Sequence, residues 1–382
     1  MEEIIISSFG IIIIISFILY FFTKLFNNKT QNNNEKIISE MNIIPYTFNK
    51  TPIKILKEED HVTCFLYLLN KDFISGQMNG MISYYSGNNY QAILLIIKHC
   101  EPITSLFQLH DQTILTSSAD GTMKKIKMLL NNNNKKKYLV EFVFYTNREF
   151  IFKSIQLKNS DDILSCNIAK EFILWRKNKN DDNPLYKVEK ILLNNEYIRD
   201  ILQINDNIFI TSGESLLLCW DTNYEMIKKL EYKCKGNNCL YKINDEFTGI
   251  LLENNGDILL FNNNTLNGIK IFNLSLSSLT CLKSLDNNII AVGIFDNKNL
   301  NSFINQYIIN KKNNLNENNK NNEIEFIKIK SENIYYNSDN SIYGEKNWQR
   351  INTIDKMDNN IILGFGGIEN LKNFGSLMIF KK

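Results

Sequence analysis

A short apolar pattern recurs seven times after residue 61, and it limits the fold more than any other feature of the sequence. Each copy has an apolar residue, two further residues of which the second is usually small, and another apolar residue. Successive copies begin 39 to 49 residues apart, and the last follows after 72. The copies begin at Val62, Ile103, Phe152, Ile198, Leu240, Leu279 and Ile351. A fixed period near 40 residues indicates repeated copies of one supersecondary unit.

Each copy is followed by a second strand containing Ser, Gly or Ala, a third strand that ends on a large side chain, and usually a fourth, alternating strand. The third strands close on Tyr85, Ile126, Trp175, Trp220, Phe261, Tyr307 and Phe380. A four-stranded sheet cannot bury both faces alone, but sheets packed face to face around an axis can. We therefore predict an all-β, seven-bladed β-propeller over residues 45–382. The alternative, a two-sheet sandwich, does not explain the small residue in each first strand, which a propeller crowds against its channel.

Two copies resemble the WD-repeat family in detail. KHCEPITSL (98–106) is similar to the family's GH-x3-V-x-x-L opening, with His99 in the histidine place, and SSADGTMKKIKM (117–128) resembles its ending, with Asp120 in the turn. The fourth copy ends on the dipeptide Trp220-Asp221. The resemblance implies a buried His–Ser/Thr–Asp–Trp hydrogen-bond chain in each blade. Its structural residues here would be His99, Ser118, Asp120, Trp175, Trp220 and Asp221.

Three local features complete the predicted propeller. Residues Ile53 to Leu56 form a strand with no partners before it, and we expect it to supply the fourth strand of blade seven. Asn79-Gly80 and Asn255-Gly256 suit type I′ hairpin turns, which need positive φ at both central residues. The asparagine-rich segment 311–322 cannot bury apolar area and predicts a loop between the third and fourth strands of blade six.

Residues 4–22 contain no charge and are long enough to cross a bilayer as a transmembrane α-helix. A polar linker, residues 23–44, would follow. A cleaved signal peptide is the alternative, but the start is acidic and no small-x-small cleavage site follows. A buried soluble helix would be unusual because the segment is apolar on every face. Lys24, Lys29 and Lys36 lie after the helix, so we expect the propeller to face the cytoplasm.

The sequence offers little chemistry. It has three histidines, seven scattered cysteines and nearly balanced charge, and it lacks metalloprotease, serine-hydrolase, P-loop and dinucleotide motifs. Cys234 and Cys239 are spaced as C-x4-C, which without a second pair favours free thiols over a metal site. We expect no metal, no cofactor and no nucleic-acid partner. The lysine-rich segment NNNNKKK (131–137) could contact anionic lipid or nucleic acid, although a solvated hairpin loop is the simpler interpretation.

Propellers bind partners on the axial face formed by the loops that lead into the first strands. The residues at these places that resemble binding hot spots are Arg148, Phe150, Tyr197, Arg199, Trp348 and Arg350. We expect a membrane-anchored, non-enzymatic scaffold for protein partners. The alternative is a membrane-bound guanine-nucleotide exchange factor for a small GTPase, since a membrane-anchored propeller of similar repeats has that role at the endoplasmic reticulum.

Overall fold

The strands of this chain are grouped in seven four-stranded antiparallel sheets. The computed structural model describes residues 52–381 apart from 131–135, 147–148, 179–185, 194–195, 233–237, 253–255, 275–276, 287–288, 297–300, 313–322, 335–347, 359 and 370–371. These residues form 28 strands, and the part of the chain that is described contains no helix. The predicted all-β, seven-bladed propeller is therefore confirmed.

Each blade is one sheet whose strands follow one another in the chain. Blades one to three consist of β2 (Val62–Tyr67), β3 (Phe73–Gln77), β4 (Met81–Tyr85) and β5 (Ala92–Lys98); β6 (Ile103–Gln108), β7 (Ile114–Ser118), β8 (Thr122–Leu130) and β9 (Lys136–Tyr145); and β10 (Ile151–Gln156), β11 (Ile163–Asn167), β12 (Glu171–Lys177) and β13 (Tyr186–Leu193). Blades four to six consist of β14 (Asp200–Gln203), β15 (Ile208–Ser212), β16 (Leu216–Asp221) and β17 (Met226–Glu231); β18 (Asn238–Lys242), β19 (Phe247–Leu252), β20 (Asp257–Asn262) and β21 (Asn267–Asn273); and β22 (Ser278–Asp286), β23 (Ile289–Asp296), β24 (Asn301–Lys312) and β25 (Glu323–Ile334).

Blade seven joins the two ends of the ring. Its strands are β26 (Trp348–Met357), β27 (Asn360–Glu369), β28 (Lys372–Lys381) and, as the outer strand, β1 (Lys54–Glu58). Lys54 pairs with Ile379 and Glu58 pairs with Gly375. The predicted closing strand is confirmed, and it begins one residue later than expected. This pairing ties the start of the ring to its end, where an unpaired terminal strand would fray.

The core lies between neighbouring blades. All seven predicted third-strand closers are buried, with at most 6% of each side chain exposed. Between blades seven and one, for example, Leu56 and Leu377 pack against Phe65, Phe73 and Tyr85. Full burial of one such side chain contributes about 1.5–3 kcal/mol. Apolar packing between sheets therefore supplies most of the stability.

The predicted start of blade three is one residue late. In blade one the first strand places buried residues three positions apart, at Val62, Phe65 and Leu68. In blade three the matching place to Val62 is Ile151, because Ile151 pairs with Asn167 before a bulge as Val62 pairs with Gln77. The middle place is then a serine, Ser154, so an apolar pattern alone shifts the start to the next residue.

The predicted start of blade five is three residues late. The N–H of Ile243 donates to the carbonyl of Phe247 at 3.0 Å, and Ile204 donates to Ile208 in the same way in blade four. Ile243 is therefore the last of the three apolar places, and Leu240 is the middle one. The first place falls on residue 237, which lies outside the described residues.

The innermost strands are linked to one another around the axis. Bulges near the start of several first strands turn consecutive side chains toward the following blade. In blade order the links are Thr63 to the Ile103 carbonyl, Ser105 to the Ser154 N–H, Lys153 to Asp200, Asp200 to the Leu240 N–H, Tyr241 to the Leu282 backbone, Cys281 to the Ile351 carbonyl, and Asn352 to the Val62 carbonyl. Every pair of neighbouring blades thus shares a polar contact near the axis.

The turn prediction at Asn79-Gly80 is wrong. Gly80 has φ +81°, but Asn79 is not in the positive-φ region. The Gly80 N–H bonds to the carbonyl of Gln77, and Gly121 bonds to Ser118 in the same way in blade two. A type I turn followed by a left-handed residue fits this pattern, so only the second residue of the pair needs to be glycine. Asn255 lies outside the described residues.

Two other predictions fall mainly outside the described part of the chain. Lys311 and Lys312 belong to β24, and residues 313–322 of the predicted insertion are not described. The predicted transmembrane helix, residues 4–22, also lies outside. Within residues 52–381 as described, no helix is long and apolar enough to cross a membrane.

Candidate functional site

Blade two contains a buried polar triad built on His99. Its Nδ1 lies 3.0 Å from Asp120 Oδ2, and its Nε2 lies 2.9 Å from Thr116 Oγ1. The hydroxyl partner is therefore Thr116 and not the predicted Ser118. Ser118 instead donates to the Glu101 carbonyl and accepts from the N–H of Asp120, which fixes the turn. The triad ties the loop before β6 to strand β7 and to the turn between β7 and β8.

The electrostatics of this triad favour a neutral histidine and an ionised aspartate. Burial lowers the pKa of His99, and Asp120 offsets this only in part. Burial raises the pKa of Asp120, but hydrogen bonds from His99 and Thr122 outweigh it and hold that pKa well below its usual range. The group has a complete set of internal partners, which indicates a structural role.

Blades three and four retain the other half of the family's hydrogen-bond chain. Trp175 donates from Nε1 to Ser165 Oγ at 2.9 Å, and Trp220 donates to Thr211 Oγ1 at 3.0 Å. Asp221 is half-buried and accepts from the N–H groups of Asn223 and Glu225, so it fixes the turn after β16. These hydrogen bonds stay within one blade, while the indole rings of Trp175 and Trp220 pack against Phe144 and Phe172 of the preceding blades.

Blade one replaces the histidine with a carboxylate. Glu58, the last residue of β1, accepts hydrogen bonds from Ser75, Gln77 and Ser83. Ser75 pairs with Phe65 as Thr116 pairs with Leu106, so the two hydroxyls occupy the same register place. Burial raises the pKa of Glu58 against the effect of these donors. This carboxylate links the closing strand of blade seven to blade one.

Lys125 occupies a place where the family has an apolar residue. Its side chain is 9% exposed and its Nζ lies 2.7 Å from Asp111 and 2.9 Å from Glu141. Burial opposes its charge, but the two carboxylates outweigh this and raise its pKa. The buried charge is therefore compensated within blade two.

The structure places the six predicted axial residues unequally. Phe150, Tyr197 and Arg199 lie half-buried just before or within the start of the first strands of blades three and four. Arg148 is outside the described residues. Trp348 is the first residue of β26 and Arg350 is its third, and they pair with Ile368 and Gly366. Both residues therefore lie at the start of the first strand of blade seven, and their role in binding stays a prediction.

Around Phe150, Tyr197 and Arg199 the structure adds three residues that the sequence did not single out, Phe152, Ile168 and Lys170. We call the six residues together the axial cluster. The Phe150 and Phe152 rings are 4.8 Å apart, and the Arg199 guanidinium lies 5.1 Å from the Phe152 ring. Lys170 Nζ lies 5.4 Å from the Tyr197 ring. The cluster therefore pairs aromatic faces with cations, an arrangement that attracts both apolar and anionic groups.

Arg199 is held in place but incompletely satisfied. Its Nη2 lies 3.5 Å from Glu214, at the limit of a hydrogen bond, and its side chain is 24% exposed. Its Nε is buried and has no hydrogen-bond partner among the described residues. A buried donor without an acceptor costs about 1–3 kcal/mol. The exposed part of the guanidinium remains accessible to an acceptor on a partner.

Lys170 adopts a backbone conformation that glycine takes in other blades. It has φ +66° at the place in the turn where blades one and two have Gly80 and Gly121. A residue with a Cβ in this region costs roughly 1 kcal/mol more than glycine. The chain tolerates this cost at the turn that places the ammonium group over Tyr197, and such strain often accompanies function.

The loop that carries Tyr197 is fixed by its neighbour Glu196. The Glu196 carboxylate accepts from the N–H of Ser215 at 3.0 Å and from its hydroxyl at 2.9 Å. Gly213 allows this approach, since a Cβ there would lie 2.6 Å from the Glu196 carboxylate. A small, partly open pocket lies beside the loop, lined by Glu196, Ile198, Thr211, Gly213, Leu216 and Leu218. Thr211 pairs with Ile201 as Thr116 pairs with Leu106, so the two threonines occupy the same register place. The pocket beside Thr211 therefore corresponds to the position of the His99 ring beside Thr116 in blade two.

The described residues offer no metal centre. No group of three or more His, Cys, Asp or Glu side chains among them could hold an ion. Cys239 and the five other described cysteines are free thiols, and Cys234 lies outside the described residues.

Comparison with known proteins identifies the fold only. No family model matches the sequence, and no curated protein matches it. Among solved structures, the RRP9 WD40 repeats superpose with a TM-score of 0.63 at 11% identity, covering 87% of this chain and 99% of theirs. The Cps50 (Swd1) β-propeller domain of Myceliophteria thermophila and U3-55K each give a TM-score of 0.60 at 11% identity, covering 86% of this chain and 99% of theirs. The chain therefore has the fold of a WD40 propeller.

Proposed function

We propose that this protein is a non-enzymatic scaffold that binds a protein partner through the axial cluster of blades three and four. The observation that carries the proposal is the pairing of three aromatic rings with two cations on one face of a rigid ring. Aromatic residues and arginine dominate the binding energy of protein interfaces. The half-exposed Phe150 and Phe152 rings would bury apolar side chains, and the Arg199 guanidinium would donate hydrogen bonds to a carboxylate or carbonyl oxygen.

Rigidity of the site supports this proposal. Phe152 lies at the bulge of β10, and the N–H of Arg199 donates to the Ser212 carbonyl at 2.7 Å, so the backbone of each residue is fixed against the second strand of its blade. Tyr197 is fixed through Glu196 and Ser215. A partner would therefore lose little energy in ordering the surface, which favours affinity.

The proposed scaffold acts at a membrane. This part rests on the uncharged segment 4–22 and on the lysines that follow it, which predict a membrane-anchored protein with a cytoplasmic propeller. The alternative, a membrane-bound exchange factor for a small GTPase, rests only on the resemblance noted in the sequence and stays a prediction.

The proposal is tested by measuring the affinity of a partner isolated with the intact protein from its native cell. Arg199→Ala and Phe150→Ala should each weaken binding at least roughly tenfold, since hot-spot truncations cost about 2 kcal/mol or more. Lys187→Ala removes an exposed cation from β13, the outer strand of blade three. This variant is the matched control and should bind normally. Trp348→Ala tests whether the site extends across the axis to blade seven.

Lys170→Gly separates binding from stability. It removes the cation over Tyr197 and also relieves the positive φ, so we expect weaker binding together with an equal or higher melting temperature. Normal binding by Arg199→Ala, Phe150→Ala and Lys170→Gly, with loss in the Lys187→Ala control, would place the interface on the rim and contradict the proposal.

A further inference from the structure

The outer hairpin of blade two extends beyond its sheet. The last pair between β7 and β8 joins Ile114 to Ile126, so Lys127 to Leu130 pair only with β9. The register there joins Lys127 to Leu139 and Leu129 to Lys137. Residues 127–130 and 136–139 therefore form a two-stranded ribbon that overhangs the propeller. We call it the blade-two ribbon.

One face of the blade-two ribbon combines leucines and lysines. Residues two apart on a strand, and residues directly opposite on its partner, project to the same face, which brings together Lys127, Leu129, Lys137 and Leu139. Leu129 is 39% exposed and Leu139 is 50% exposed. The Lys127 side chain is 52% exposed. Exposed leucines beside exposed lysines suit the interface of a bilayer, where apolar side chains enter and cations meet headgroups.

The charge of this segment is strongly positive. Residues 121–140 contain six lysines and no acidic residue, although the whole chain carries only +2. Lys125 is neutralised by Asp111 and Glu141, and Lys127 lies 3.5 Å from Glu141 at the base of the ribbon. Lys137 is exposed, and the excess of positive charge in this segment favours an anionic partner.

The chain enters the propeller on the same face as the ribbon. The third strands β8 and β28 run in the same direction through their blades, and both end on the face opposite the axial cluster. Leu130 ends β8 there, and Lys54 pairs with Ile379 close to the end of β28. Residues 1–51, which include the uncharged segment 4–22, therefore join the ring on the ribbon's face.

We propose that the blade-two ribbon docks on the surface of an anionic phospholipid bilayer. Its leucines enter the headgroup region, its lysines neutralise lipid phosphates and carboxylates, and the axial cluster faces away from the membrane. The exposed leucines favour a bilayer over nucleic acid, whose phosphates would be matched by lysines alone. The overhanging β24–β25 hairpin of blade six differs, because its described residues include no exposed large hydrophobic side chain.

An environment-sensitive fluorescent amino acid at position 139 of the full chain tests this proposal. We expect a blue shift with nanodiscs of phosphatidylcholine containing about 30% phosphatidylserine, and little shift with phosphatidylcholine alone, since each lysine near an anionic surface strengthens contact. Lys127→Glu together with Lys137→Glu should abolish the shift. Lys187→Glu together with Lys190→Glu, the same charge change on the outer strand of blade three, should preserve it.

The fluorescence shift reports only on the surroundings of position 139, so it distinguishes ribbon contact from attachment by residues 4–22. Arg199→Ala, in the axial cluster, should leave the shift unchanged. Identical emission with neutral, anionic and no lipid would overturn the proposal. A blue shift with single-stranded RNA but not with anionic nanodiscs would also overturn it, and would assign the ribbon to nucleic acid.

Discussion

Glu58 shows how one side chain can replace another when the hydrogen-bond demand is the same. Blade one has no histidine at the place of His99, but its Ser75, Gln77 and Ser83 side chains still need an acceptor, and Glu58 supplies it. Removing the carboxylate would leave buried donors without partners, which costs about 1–3 kcal/mol each.

We expect Glu58→Ala to lower the free energy of unfolding by about 3 kcal/mol or more in a denaturant melt. Its neighbour Glu59 is exposed, so Glu59→Ala is a matched control and should change stability by less than about 0.5 kcal/mol. Equal melts for both variants would show that the carboxylate does not hold blade one to the closing strand.

His99 predicts a specific pH dependence. Because its folded pKa is lowered, the unfolded chain binds a proton more readily than the native protein. The stability contributed by this histidine is therefore present above its unfolded pKa, near 6.5, and is lost as pH falls below it. The melting temperature of the wild type should fall between about pH 7.5 and 5.5, and His99→Gln should fall less. Parallel curves would contradict a neutral, buried His99.

At the scale of the strand, the closing strand β1 has one buried and one exposed side. Leu56 is 8% exposed, but Ile53 is 50% and Ile55 is 38% exposed. The sequence predicts the strand but not which of its apolar side chains are buried, because Ile53, Ile55 and Leu56 are all apolar. Leu56 is the residue that packs against Phe73 and Tyr85.

Leu56→Asp should therefore open or unfold the ring, because an unpaired carboxylate would enter the core between blades seven and one. We expect a loss of more than about 3 kcal/mol, against less than about 1 kcal/mol for Ile55→Asp. Circular-dichroism melts measure both. A larger loss from Ile55→Asp would mean that the strand faces the other way.

The sequence predicted the number of blades, their closing residues and the closing strand because these depend on local apolar patterning. Prediction from the sequence failed where the apolar pattern is interrupted. Ser154 takes an apolar place in blade three, and the bulge that exposes Phe152 breaks the alternation on which strand prediction relies. Lys170 was missed because positive φ is readable from sequence at glycine but not at lysine. Phe150, Tyr197 and Arg199 were predicted because residue type and repeat phase agree there, and their role in binding stays a prediction.

At the scale of the whole molecule, the two faces of the propeller carry different chemistry. The axial cluster lies on one face, and the blade-two ribbon and the entry of the chain lie on the other. A scaffold on a membrane needs this arrangement, since the partner site must remain open when the opposite face meets the bilayer.

Deleting residues 1–30 should release the protein from membranes without unfolding the ring, because the sheets begin at Lys54. Carbonate extraction of cell membranes measures this. Deleting residues 313–322, a polar segment of blade six, is the control and should leave the protein in the pellet with its melt nearly unchanged. An intact protein already in the supernatant would contradict the predicted anchor.

Site-specific photo-crosslinking in the native cell tests the proposed scaffold most directly. A photoreactive phenylalanine analogue replaces Tyr197 in the axial cluster or, as a more exposed control on the rim, Val188 of β13. We predict one or a few discrete protein adducts from position 197, lost when Arg199→Ala is added, and none of these from position 188. Adducts from position 188 with none from position 197 would contradict an axial partner site.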